Sequence, residues 1–185
     1  IQTTGTYKLV KDITLENWTS EYTTAEGFIL DGNGHTITLS GKPLFYKVAP
    51  NSLIKNLVLE GEVTESENKR VGALARFNEG EIRNCANYAS VTYTNNAANQ
   101  YVGGLVGENK ETISNSISFG ELNRGNSNIY GAIGNLSIPV FDVVGKIENC
   151  YAKNSDRIGS LYEYTSTELP LTGKTYSNNN ILVDD

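Results

Sequence analysis

The chain has 185 residues, enough for one domain with a sizeable hydrophobic core, and carries 15 Lys and Arg against 21 Asp and Glu, a net charge of −6. That balance argues against binding to nucleic acid or an anionic membrane, which needs clustered Lys and Arg to meet phosphates. No run approaches the roughly 18 apolar residues of a membrane-spanning helix, and the complete lack of Met marks the chain as a processed or excised piece.

Along the chain, residues 1–28, with Trp18 and Tyr22, read as an N-terminal cap and first strand that closes an open end against strand addition. Ile29-Leu-Asp31 and Thr36-Ile37 flank the turn Asp31-Gly-Asn-Gly-His35. This turn begins like a calcium loop but lacks the later ligands and the closing Glu, and its two glycines suit a corner that needs positive φ. From here one pattern recurs: an apolar residue, Gly, small or apolar residues, a polar turn, then Ile-x-Asn. A degenerate copy pairs Leu44-Phe45 with Ile54-Lys55-Asn56. Full copies pair Val71-Gly72 with Ile82-Arg83-Asn84, Val102-Gly103 with Ile113-Ser114-Asn115, and Tyr130-Gly131 with Ile147-Glu148-Asn149; a late one opens at Ile158-Gly159. The asparagines step by 28, 31 and 34 residues, and the glycines by 31, 28 and 28.

A period of this size signals a solenoid whose units bury apolar faces against their neighbours. Helical repeats would need amphipathic stripes, and no ten-residue stretch carries one. The units offer instead short alternating runs rich in Val, Ile, Tyr and Thr, separated by Gly, Asn and Ser. Each unit therefore reads as one coil of an all-β parallel β-helix, built from about three short strands. Coils stacked at roughly 4.8 Å would number about five to six in a single domain over 1–185. The span 29–160 holds the coils, and 161–185 the last coil and C-terminal edge.

The repeat also bears on individual residues. Cys85 and Cys150 follow repeat asparagines, and Ser116 takes the same place between them. Two coils apart means roughly 9–10 Å, beyond the about 7 Å a disulfide tolerates between Cα atoms, so both cysteines read as free and inward-facing. Asn56, Asn84, Asn115 and Asn149 read as stacked corner residues that satisfy turn backbone.

The runs Val102-Gly-Gly-Leu-Val-Gly-Glu-Asn109 and Ile113-Ser-Asn-Ser116, with the order Gly5–Ile13, Ile29–Ile37 and Ile54–Leu59 before them, resemble GLUG repeats over roughly residues 5–160. The resemblance implies a right-handed β-helix from a bacterial surface or secreted protein, adhesin-like, and places the chain at the cell surface or outside the cell. The chain departs from the family pattern after Gly131, where Asn135 to Val144 replaces a short turn, and after Gly159. Leu169-Pro-Leu-Thr-Gly173 matches a Gram-positive wall-sorting signal, but a polar, Asn-rich stretch follows it. It reads as a loop before a last strand, Asn180 to Val183. The glycosylation-type triplets at Asn17 and Asn135 mean little in a bacterial protein.

His35 is the sole histidine, which removes zinc sites of the His-Glu-x-x-His kind and leaves no nucleophile–histidine arrangement. Acids crowd two loops, Glu60 to Glu67 and Glu79 to Glu81, alternating with Thr, Ser and basic residues as solvated turns do. The chain therefore reads as non-catalytic, without metal or cofactor: a binding or spacer module. Its partner is expected to be a host glycoprotein, matrix protein or polysaccharide. Tyr88, Tyr93, Tyr101 and Tyr130 are candidate ligand-facing aromatics, against the reading that several of them plug the core. Two alternatives stand beside this one: an accessory region of a secreted IgA-cleaving-type metallopeptidase, and a carbohydrate-active β-helix enzyme.

Overall fold

In the computed structural model, which describes residues 4–19, 22–138, 145–153, 159–163, 168–171 and 181–183, the chain is all-β, with no helix among the described residues. Sheet A takes one strand from each pass of the chain: Thr6–Lys8, Ile29–Asp31, Leu53–Lys55, Glu81–Arg83, Thr112–Ser114 and Lys146–Glu148, in that order and all parallel. Their central residues stand in register as Tyr7, Leu30, Ile54, Ile82, Ile113 and Ile147. The five after Tyr7 are fully buried. Because strand side chains alternate between faces, one apolar residue per pass builds a continuous inner column.

Sheet B runs beside it through Ile13–Thr14, Thr36–Gly41 and Val58–Glu65. The long strand Val58–Glu65 pairs in one unbroken register with two shorter ones, Ala86–Asn87 and Ser90–Tyr93; the ladder is interrupted between them where the Ala89 N–H donates to Asn87 Oδ1 instead. Sheet C holds Phe45–Val48, Ala75–Asn78, Val106–Asn109, Asn135–Ile138 and Gly159–Glu163, and sheet D holds Arg70–Val71, Tyr101–Gly103 and Ile129–Gly131. Pairing is parallel throughout except where Glu168–Leu171 returns antiparallel on Gly159–Glu163. The four sheets stay separate, and the arrangement is β-helix-like.

Four sequence expectations change in detail. A middle repeat supplies all four sheets rather than about three strands: residues 81–109 give one strand to A, two to B, one to D and one to C. Residues 1–28 do more than cover an end, since Thr6–Lys8 and Ile13–Thr14 join sheets A and B and Thr23 bridges to Lys47. The Asn135 segment, read as replacing a turn, begins with the strand Asn135–Ile138, and 139–144 lie outside the described residues. The first three residues of Leu169-Pro-Leu-Thr-Gly173 belong to an edge strand, not a loop, the place in a sheet where Pro is tolerated. Thr172 and Gly173 lie outside the described residues, as do Ile158 and Asn180. The last strand is Ile181–Val183, parallel to Tyr151–Lys153.

The interior changes character along the chain. The first passes are filled by Phe28, Leu44 and Phe45, with Phe28 edge-on to Phe45 at 5.9 Å. Later passes use Ala73, Ala75, Ala89 and Ala132, and they also bury Asn87 and Ser118. Asn87 Nδ2 donates to Ala89 O, Gly104 O and Ser118 Oγ, so this polar interior is satisfied. The repeat glycines follow from the junction of sheets D and C. A Cβ on Gly103 would lie 1.8 Å from Val106 O, and one on Gly72 2.6 Å from Val106 Cα. Only hydrogen fits where these backbones meet.

Candidate ligand-binding face

The repeat asparagines lie at the end of each sheet A strand, all in the left-handed backbone region: Asn56, Asn84, Asn115 and Asn149 have φ of 53, 52, 48 and 51°. Asn is one of the few residues that enters this region at low cost. The backbone N–H groups of Asn56, Asn84 and Asn115 donate to Arg83, Ser114 and Glu148 of the next pass. Asn84 Nδ2 also donates to Asn56 Oδ1 at 3.2 Å, and Asn56 Nδ2 to Asp31 Oδ1 at 3.0 Å. The donated bond from Asn56, and then the Asn33 N–H, hold the Asp31 carboxyl below its usual range. The shared left-handed backbone and the bonds from Asp31 through Asn56 to Asn84 make the column architecture.

The Asp31–His35 turn works differently from the sequence reading. Of its two glycines only Gly34 has positive φ, and Asn33 supplies the other left-handed residue. Gly32 is required for space, because a Cβ there would sit 2.5 Å from Asn56 O. His35 meets only Asp12, at 3.1 Å on the surface. Cys85 and Cys150 are free and buried, and burial pushes both thiols up to about 12, which removes nucleophilic character at neutral pH.

The four candidate tyrosines do not form one exposed strip. Tyr93 and Tyr101 are buried, Tyr93 on the inward phase of its strand and Tyr101 under the Arg70 guanidinium at 5.0 Å. Tyr130 is half-buried with the Arg124 guanidinium 4.1 Å over its ring. Only Tyr88 is well exposed, beside Phe119 at 6.3 Å between ring centres.

A different aromatic set gathers on the outer face of sheet C. The Tyr46 N–H donates to Tyr22 O at 2.9 Å and Thr23 bridges to Lys47, so Tyr22 and Tyr46 stand side by side on the same face, 49 % and 40 % exposed. Trp18 packs on Tyr22 at 5.2 Å, anchored by its Nε1–H to Leu44 O, and Phe77 packs on Tyr46 at 5.7 Å. Sequence reasoning missed this set. The available signal was the 24-residue step from Tyr22 to Tyr46, the same step that registers Ile13 with Ile37.

Beside this row lies an open cleft of about 510 Å³, with Tyr46 and Arg76 lining it together with Thr19, Thr23, Lys42 and the 67–68 turn. Its base is held by a buried ion pair. Arg76 meets the Glu65 carboxylate and donates to Arg70 O at 3.0 Å. Glu65 Oε1 accepts from the N–H groups of Ser66, Glu67 and Asn68, fixing the turn that forms one rim. Burial pushes the Glu65 carboxyl up, but the Glu67 and Asn68 N–H groups and the Arg76 guanidinium outweigh it and hold the group at about 2. Glu65 is thus ionised at any ordinary pH.

No protein-family model matches the chain, and no curated protein matches it. Among solved structures, a 1.30 Å crystal structure from Bacteroides ovatus, described as a "putative immunoglobulin A1 protease", is similar at 17% identity, covering 96% of this chain and 77% of that one with a TM-score of 0.47.

A second concavity, also about 510 Å³, brings together Glu79, Glu81 and Glu111 beside Pro50–Leu53. Its acids are engaged: Glu79 pairs with Lys47 at 3.0 Å and Glu81 with Arg83 at 3.3 Å. Among the described residues no group of His, Cys, Asp and Glu is placed to hold a metal ion. The sheet C cleft, with exposed rings beside mixed donors and acceptors, is the better-built recognition site.

Proposed function

We propose that the chain is a right-handed parallel β-helix of five to six coils that serves as a non-catalytic ligand-binding module of a bacterial cell-surface or secreted protein. The parallel registers at 23- to 34-residue steps in sheet A support the solenoid. The observation that carries the binding role is the row Tyr22–Tyr46 standing exposed beside a walled cleft. Rings left 49 % and 40 % exposed bury only part of their surface in the fold, and aromatic side chains are those that dominate recognition energetics.

The test is an array of glycoproteins, matrix proteins and polysaccharides probed with the purified chain. Saturable binding of one class without its cleavage supports the module. Cleavage of any of them overturns the non-catalytic reading, and no binding to any of them overturns the recognition reading in favour of a spacer.

A further inference from the structure

The cleft on sheet C differs from an anion or peptide site in its charge arithmetic. Two cations reach it, Arg76 and Lys42: Arg76 is paired with the buried Glu65 carboxylate, and the half-exposed Lys42 only approaches the same carboxylate at 3.9 Å. Glu67 on the rim adds a further negative group. Arg76 and Lys42 are thus balanced by Glu65 and Glu67, and a charged ligand of either sign would find no surplus of opposite charge to offset its desolvation. The hydroxyls of Thr19 and Thr23 are neutral donors and acceptors around the Tyr46 ring, and Asn68, whose Nδ2 donates to Glu65 Oε2 at 3.1 Å, adds its amide oxygen as an acceptor.

We propose that this cleft is a saccharide subsite that takes a neutral pyranose unit, with Tyr46 as the stacking platform and Tyr22 extending it along the chain axis. The inference rests on the recognition role proposed above and names its ligand class. Aromatic rings carry a negative face, and the axial C–H groups on one side of a pyranose are weakly positive, so the sugar lies flat on the ring. Its equatorial hydroxyls then point sideways to the rim, where both donors and acceptors are present. The rings of Tyr22 and Tyr46 sit on neighbouring passes joined by the Thr23–Lys47 bridge, about 4.8 Å apart at the backbone. That is close to the length of one pyranose residue, so successive sugars of one chain meet successive rings. The volume suits a short stretch of a polysaccharide rather than a folded partner. Glu65 acts as a positioning residue, because it fixes both the Arg76 floor and the 66–68 rim.

Trp18 is the sole tryptophan and stacks on Tyr22, so its emission reports on the site. The experiment titrates the chain with cellotetraose, xylotetraose, mannotetraose and a hyaluronan tetrasaccharide. Trp18 emission and saturation-transfer NMR follow the binding, in the wild type and in Tyr46→Ala and Tyr88→Ala. The expected result is saturable binding of at least one neutral tetrasaccharide, weakened about tenfold or more by Tyr46→Ala and unchanged by Tyr88→Ala, as removal of an aromatic anchor does. Preferred binding of the hyaluronan tetrasaccharide overturns the neutral assignment. Binding that survives Tyr46→Ala but falls in Tyr88→Ala overturns the cleft while leaving the recognition role standing. A partner found on the array whose binding ignores all these sugars has the same effect. Silence on both the array and the sugar panel overturns both. Tyr46→Phe, which keeps the ring, is the folding-neutral companion and should retain binding.

Discussion

The corner column of sheet A and the outer face of sheet C are built from the same parallel passes, yet they use sequence in opposite ways. At the corner the same residue returns each time: Asn56, Asn84, Asn115 and Asn149, each with φ near 50° and each behind a buried Ile. On sheet C the register carries different chemistry at every step, with Lys47 beside Phe77 and Phe77 beside Glu108. Repetition marks positions where every pass solves one geometric problem. Change from pass to pass marks positions where geometry leaves the side chain free for something else. The difference is also energetic. A corner is one of several equivalent ones, whereas the Glu65–Arg76 pair occurs once and supports a turn, a floor and a rim together.

Glu65→Ala should break that comparison most severely. It leaves the buried Arg76 guanidinium and three turn N–H groups without their acceptor, and should cost about 3–5 kcal/mol in urea unfolding. Adding Arg76→Met should restore part of it; a double variant no more stable than the single one would show that the pair is not the unit. The same group predicts an acid limb. Its carboxyl is depressed from 4.5 to about 2, so the stability it contributes is fully present above about pH 4.5 and drains away as pH falls toward 2. The contribution is about 3 kcal/mol, and Glu65→Gln should flatten that limb.

Gly103→Ala comes next. Its new methyl would press on the Val106 carbonyl, which is backbone and cannot swing aside, so a loss of about 3 kcal/mol is expected. A neutral result would mean that sheets C and D can move apart. Asn84→Ala should cost less, about 1–2 kcal/mol, from forcing Ala into the left-handed region. Asn84→Gly should stay within about 0.5 kcal/mol of wild type, since Gly enters that region freely. An equal loss for both would show that the Asn84–Asn56 bond, not the backbone, is what matters there. Smallest in stability among the alanine variants is Tyr46→Ala, about 1 kcal/mol, because the residue is 40 % exposed and loses mainly its contact with Phe77. Its main effect belongs to binding, and a large fall in melting temperature would move Tyr46 from recognition to packing.

The legibility of this chain follows the same division. The Ile-x-Asn spacing announced the sheet A strands and the free, inward cysteines, because each pass repeats the cue and the copies reinforce one another. Asp31–His35 was legible as a corner but not in its workings, since whether a Gly serves φ or space depends on what lies against it, here Asn56 O. The tyrosines were the least legible. Tyr93 and Tyr101 look like Tyr88 in sequence, but a one-residue change of phase carries a side chain from the outer face to the inner one. Tyr88 and Tyr93 lie five residues apart on one unslipped register, an odd separation that puts them on opposite faces.

By itself the sequence determined the period, the all-β character and the Asn corners, because these rest on local propensity and on a spacing that recurs. It also determined that Gly must stand at 72 and 103, though not why. The tertiary structure alone decided which aromatics meet solvent, that Trp18 and Tyr22 come beside Tyr46 and Phe77, and that Glu65 finds Arg76. Those partners lie 4 to 59 residues from one another and share no repeated cue. Only the stacking of unequal passes, each with its own loop length, brings them to one face.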